Sequence, residues 1–145
     1  LDAQFLAARH VIPIMKRQGS GAIINMSSTS GLHGVGLRTP YVAAKWGVIG
    51  FTQSLAKELG PDTIRVNAIL PGIVEGPRMT NVIKARAEQT GVTYKEMEKT
   101  YLDRVSMRRM VTADDVAGTV LFLLSRAGRH ISGQSLGVDG NVETL

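Results

Sequence analysis

The sequence predicts an α/β fold built on a parallel sheet, and three observations carry that prediction. Segments with apolar residues in steps of three and four alternate with short, β-branched apolar runs. The first such run, Ala22-Ile23-Ile24-Asn25-Met26, is nearly continuous in apolar residues, as in a strand covered on both faces. Glycine, serine and proline clusters separate the segments, and strict alternation of helix and strand implies parallel strands with helices on the sheet faces.

Each element follows from its residues. In residues 1–18, Leu1, Phe5, Leu6, Ala8, Val11, Ile12 and Met15 form one stripe of a helix. Pro13 removes one internal hydrogen bond or kinks it, and Gly19-Ser20-Gly21 ends it. The strand 22–26 leads into a Ser/Gly-rich loop from Ser27 to Thr39, and Pro40 sits where a helix starts. From Tyr41 to Leu59 apolar residues, including Trp46 and Phe51, surround most of the helix. That predicts burial on several sides, by the sheet and by a second subunit. Gly60-Pro61 stops it. Ile64 to Ile69 forms a second strand, which turns off at Leu70-Pro71-Gly72. Residues 79–90 and 94–105 read as two amphipathic helices joined near Gly91. Thr112, with Asp114 and Asp115 behind it, caps a helix that runs to about Arg126. Gln134 to Val138 is the last strand. Ligands of such sheets sit beyond the carboxyl ends of the strands, so the informative loops are 27–40, 70–78 and 139–145.

Composition excludes several classes of function. The chain has 145 residues, no Cys and three scattered His, so disulfides, thiolate metal sites and a His-based metal site are not expected. Lys plus Arg is 17 against 12 Asp plus Glu, and the pI is about 9.9. The cations are spread along the chain without an aromatic-rich basic stripe, so no nucleic-acid partner is expected. No apolar run approaches the ~20 residues of a membrane span. Leu1-Asp2-Ala3-Gln4-Phe5 reads like the middle of a helix, and the expectation is the C-terminal portion of a longer protein.

The chemistry centres on Ser28, Tyr41 and Lys45. Tyr41 and Lys45 lie four apart on a helix and share one face. Ser28 stands thirteen residues before Tyr41, where the first strand ends. A free phenol titrates near ~10. An ammonium ~4 Å away, at an effective dielectric of ~20, favours a phenolate by about 4 kcal/mol before desolvation opposes it. A phenol so assisted can exchange a proton with an alcohol or carbonyl near neutral pH. Taken alone, the Tyr-x-x-x-Lys spacing equally describes a surface pair.

Context removes that ambiguity. Ile23-Ile24-Asn25-Met26-Ser27-Ser28-Thr29-Ser30-Gly31 precedes Tyr41-Val42-Ala43-Ala44-Lys45 and Gly47-Val48-Ile49-Gly50-Phe51-Thr52. Ile64-Arg65-Val66-Asn67-Ala68-Ile69, Pro71-Gly72, Ser132-Gly133-Gln134 and Val138-Asp139-Gly140 follow. In this order and spacing, over essentially the whole chain, the sequence resembles the short-chain dehydrogenase/reductase family. The resemblance implies the fifth to seventh strands and flanking helices of a Rossmann-type, doubly wound parallel sheet. It implies NAD or NADP, a small-molecule alcohol or carbonyl substrate, a cytoplasmic location and a homo-oligomer (tetramer or dimer), with helices 1–18 and 41–59 building a subunit contact.

Residue by residue, the resemblance makes Tyr41 the acid/base, Lys45 its activator and ribose ligand, and Ser28 the substrate-orienting hydroxyl. Pro71, Gly72, Ile73 and Val74 match the loop that meets the nicotinamide. His33 borders the substrate pocket, and Met79 belongs to a helical lid over residues 77–111. The family's glycine-rich phosphate loop has no counterpart here, and its catalytic Asn falls immediately before Leu1. Gly76 stands where the family has Thr, with Thr80 a candidate replacement. Folded without a neighbouring strand, residues 22–27 would leave an apolar parallel edge exposed. The alternative expectation is a non-catalytic fragment that keeps the subunit-contact helices.

Overall fold

The computed structural model describes residues 1–142. Its elements are α1 (Asp2–Gln18), β1 (Gly21–Met26), α2 (Thr39–Leu59), β2 (Ile64–Pro71), α3 (Pro77–Thr90), α4 (Tyr94–Leu102), α5 (Ala113–Leu124) and β3 (Ser135–Val138). The strands form one parallel sheet in the order β1-β2-β3, with Gly21 opposite Ile64 and Ala68 opposite Ser135. The α/β architecture read from the sequence is therefore present, with each strand within two residues of its expected bounds.

The sheet is parallel because every connection is a crossover carrying a helix. β2 is central and bears the core: Ile64, Val66, Asn67, Ala68, Ile69 and Leu70 are all buried. One face of the sheet packs on α1 and α2, where Ala8, Leu55, Leu59, Ile64 and Val66 form a cluster extended by Ile12, Met15, Ile23 and Phe51. Gly19, at φ 70, lets α1 stop in a left-handed cap that most residues adopt at a cost. Pro13 lies within α1 on its exposed side, and the helix continues through it.

Asn67 sews the far side of the sheet together. Its amide donates to Ile131 O at 2.8 Å, and its Oδ1 accepts the Gln134 N–H at 3.0 Å. A buried carboxamide with both ends bonded holds the turn before β3 against β2.

After β2, α3 and α4 pack together as a separate pair. Ile83, Ala87 and Met97 are buried against one another, and Met79, Tyr94, Tyr101 and Met110 pack around them. α4 ends at Leu102 rather than 105. Val105 is fully buried, its N–H bonds Leu102 O, and it pairs with Val142 in an antiparallel bridge, so the chain turns inward there. α5 likewise ends at Leu124, where Ser125 is extended and caps the short turn that follows. Of the loop 139–145, residues 143–145 lie outside the described residues.

Candidate active site

β1 and β2 run parallel and point the same way; β1 ends at Met26, opposite Ile69, and β2 two residues further on, at Pro71. The loops that follow them therefore gather at one end of the sheet, with residues 139–142 beside them. Ser27 anchors the first loop. It is buried, its N–H bonds Ile69 O at 2.9 Å, and its hydroxyl donates to Lys45 O at 2.8 Å. That last bond pins the end of β1 onto the second turn of α2. Gly31 permits the close approach, because a Cβ there would meet Ser27 Oγ at 2.7 Å and the Lys45 carbonyl oxygen at 2.9 Å.

Ser28 follows in extended conformation and is half-buried. Its Oγ accepts the Ser30 N–H at 3.2 Å and caps a short helical turn at 29–31. That bond leaves the hydroxyl proton free to donate. Tyr41 and Lys45 lie one turn apart at the start of α2. Tyr41 is exposed, and its hydroxyl bonds none of the described residues. Lys45 Nζ stands 5.6 Å from the centre of the Tyr41 ring, within cation–π range, and donates to Met26 O at 2.9 Å. The structure thus brings tyrosine and lysine together, but the ammonium engages the ring and a backbone carbonyl. The phenol accepts no bond from it.

The loop after β2 is held from two sides. Gly72 N–H bonds Val138 O at 3.0 Å, and a Cβ on Gly72 would sit 2.7 Å from Asp139 Cβ, so only glycine fits against β3's end. On the other side Val111 N–H bonds Ile73 O, and Glu75 N–H bonds Val111 O, both at 2.8 Å. Pro71, Gly72, Ile73 and Val74 are each half-buried, and the N–H groups of Ile73 and Val74 make no backbone bond among the described residues. Thr80, the candidate replacement for a missing threonine, donates its hydroxyl to Gly76 O at 3.2 Å within its own helix.

The remaining candidates are more peripheral. His33 is half-buried in the loop between Ser28 and Tyr41. Met79 packs against the Ile83–Ala87–Met97 cluster, and Ile83 is that cluster's fully buried centre, so these side chains hold the α3–α4 pair together. Among the described residues no group of three or more His, Cys, Asp or Glu could hold a metal ion.

Sequence reasoning missed Gln4. Its Nε2 donates to Met26 O at 2.9 Å, the same carbonyl that Lys45 engages. The available signal was its place on α1: Gln4 precedes Ala8 and Ile12 by steps of four, so it is the polar member of the buried stripe.

A family profile described as enoyl-(acyl carrier protein) reductase matches residues 1–142. The 3-oxoacyl-[acyl-carrier-protein] reductase of Thermotoga maritima is 37% identical over 142 residues, covering 98% of this chain and 53% of that protein. Sorbitol-6-phosphate 2-dehydrogenase from Erwinia amylovora superposes with a TM-score of 0.93 at 34% identity, over 100% of this chain and 57% of the other. Actinorhodin polyketide ketoreductase with NADPH gives 0.83 at 35% identity, over 90% and 50%. 4-Hydroxyisoleucine dehydrogenase complexed with NADH gives 0.77 at 29%, over 97% and 55%. The chain spans about half the length of the curated relatives it matches.

Proposed function

The chain belongs to the short-chain dehydrogenase/reductase family, and on that premise we propose that it is the catalytic C-terminal part of an NAD- or NADP-dependent oxidoreductase. The reaction interconverts a secondary alcohol and a carbonyl. The observation that carries the reading is the Tyr41–Lys45 pair, one helical turn apart, at the end of the sheet where Ser28 leaves β1.

The residues present fit a dinucleotide. Lys45 spends one of its three N–H donors on Met26 O, and the others remain for ribose hydroxyls. Ile73 and Val74 offer N–H groups to a carboxamide from a loop clamped on both sides. When bound, the nicotinamide supplies or takes the hydride. Tyr41, exposed and unbonded, gives a proton to the substrate oxygen during reduction and takes it back during oxidation. Ser28 donates its free hydroxyl proton to the same oxygen and orients it. The step balances: one hydride to carbon and one proton to oxygen make the alcohol.

Several finer assignments belong to the same reading. His33 and Met79 border the substrate, and residues 77–111 form a lid whose helices carry their own core. The nucleotide is NAD or NADP. Leu1, Phe5, Leu6 and Trp46 are each about half exposed along α1 and α2. We assign that apolar face to contact with another subunit of a homodimer or homotetramer. A non-catalytic assembly module would use the same face but leaves the Tyr41–Lys45 pair without a role. A cytoplasmic location belongs to the same proposal; among the described residues no helix is long and apolar enough to cross a membrane.

The test is turnover of the full-length protein with NADH and NADPH against a panel of ketones and 3-oxoacyl thioesters, and with the oxidised nucleotides against secondary alcohols. Nicotinamide-dependent turnover of at least one class is expected. Tight folding with no turnover in any class contradicts the proposal.

A further inference from the structure

We infer that Asp115 is a positioning residue for the loop assigned to the nicotinamide, and that it acts through a single peptide unit. The inference rests on the oxidoreductase reading and gives that loop a support outside the motif residues. It starts from Val111, which is buried and pairs with Val74 in the loop after β2. The Val111 N–H donates to Ile73 O, and its carbonyl accepts the Glu75 N–H, both at 2.8 Å. Parallel pairing of this kind straddles one residue, here Val74, whose own N–H and C=O face the opposite side. The direction in which Val74 offers its N–H to a carboxamide therefore follows from where the Val111 backbone lies.

The Val111 carbonyl and the Thr112 N–H belong to one planar trans peptide and point in opposite directions. The carbonyl end holds Glu75. The N–H end donates to Asp115 Oδ2 at 2.8 Å. Asp115 thus fixes the plane from behind, and an anionic acceptor on the N–H also polarises the carbonyl toward Glu75. The acceptor is ionised at neutral pH, because its bonds to Thr112 hold the carboxyl below the usual range. The box at the start of α4 shows that capping alone does not do this. Glu96 bonds the Thr93 N–H in the same way, but the Val92 carbonyl at the other end of that peptide accepts no backbone bond among the described residues. Only the α5 box is wired to a loop at the end of the sheet, and every link of that relay lies among the described residues.

The experiment uses the full-length protein with Asp115→Ala, Asp115→Asn and Thr112→Ala. Calorimetric titration gives the dissociation constants of NADH and NADPH, and of ADP-ribose and its phosphorylated counterpart, which lack the nicotinamide. Without the Asp115 acceptor the loop must be ordered on binding. Asp115→Ala is therefore expected to weaken the preferred reduced nucleotide about fivefold, the equivalent of one capping bond, and to leave the nicotinamide-free ligands unchanged. Asp115→Asn keeps an oxygen for the Thr112 N–H and recovers most of the affinity. Thr112→Ala removes the other half of the box, the bond from the Asp115 N–H to Thr112 Oγ1. Its thermal midpoint falls like that of Asp115→Ala, while its nucleotide affinity stays at the wild-type value. Unchanged affinity in Asp115→Ala overturns the inference, as does an Asp115→Asn variant no better than Asp115→Ala. Equal weakening by Thr112→Ala, or a parallel loss for ADP-ribose, also overturns it, because either marks a general loosening of α5. Wild-type protein that binds neither reduced nucleotide contradicts the oxidoreductase reading itself and the inference with it, whereas wild-type binding with an unresponsive Asp115 contradicts only the inference.

Discussion

Ser27 and Ser28 are neighbours with the same side chain and opposite uses. Ser27 is buried and spends its hydroxyl on the Lys45 carbonyl, while Ser28 keeps its proton free at the mouth of the site. Replacing Ser27 with Ala removes a buried hydrogen bond that ties β1 to α2, a loss of about 1–2 kcal/mol. Denaturant unfolding of Ser27→Ala should show that loss, and Ser28→Ala, which gives up only the longer cap bond to the Ser30 N–H, should lose less. Equal destabilisation by the two would contradict the division of roles. The sequence separates these serines only through the thirteen-residue spacing to Tyr41, which selects Ser28 by family resemblance. Why Ser27 is unavailable becomes visible only when α2 lies across β1. Gln4 was illegible for the same reason. Its partner is a backbone carbonyl 22 residues away, and carbonyls leave no trace in a pattern of side chains.

At the scale of elements, local chemistry sets where the later helices begin. Thr93 caps α4, with Glu96 bonding back to the Thr93 N–H at 2.8 Å, and Thr112 caps α5, with Asp115 bonding back to the Thr112 N–H at 2.8 Å. Backbone and side-chain bonds to Thr93 hold the Glu96 carboxyl below its usual range, and those to Thr112 do the same for Asp115. A carboxylate more acidic in the folded state stabilises the fold above its unfolded pKa, and that contribution is lost as pH falls through the folded value. Both boxes are therefore intact above about pH 5 and open as pH drops through ~4 and below. Thermal midpoints measured from neutral to acid pH should fall less steeply for Asp115→Ala than for wild type, and identical slopes would remove the cap from the account. The start of α5 was readable because capping is local. The ends of α4 and α5 were not. Val105 leaves the helical path to pair with Val142, a partner 37 residues on that no periodicity reveals.

Across the whole molecule, one end of the three-stranded sheet gathers Tyr41, Lys45 and the clamped loop after β2. Apolar side chains exposed on α1 and α2, with Leu121, Phe122 and Leu124 on and at the end of α5, give the segment more uncovered apolar surface than a solvated helix face needs. The all-round apolar pattern of 41–59 predicts burial on several sides, whereas the fold buries one face, through Val48, Thr52, Leu55 and Leu59, and leaves Trp46 about half exposed. The architecture was legible because alternation of period is a property of the chain itself. The packing of residues 77–111 was not, because Ile83 and Met79 have the same pattern whether they face a substrate or each other. The central claim is that the Tyr41 phenol moves the proton of a nicotinamide-dependent reaction. It is tested most directly by the turnover number of full-length Tyr41→Phe under saturating nucleotide and substrate, with the thermal midpoint measured alongside. The account predicts a fall of about 10²–10⁴-fold with the midpoint unchanged, and turnover close to wild type would contradict it.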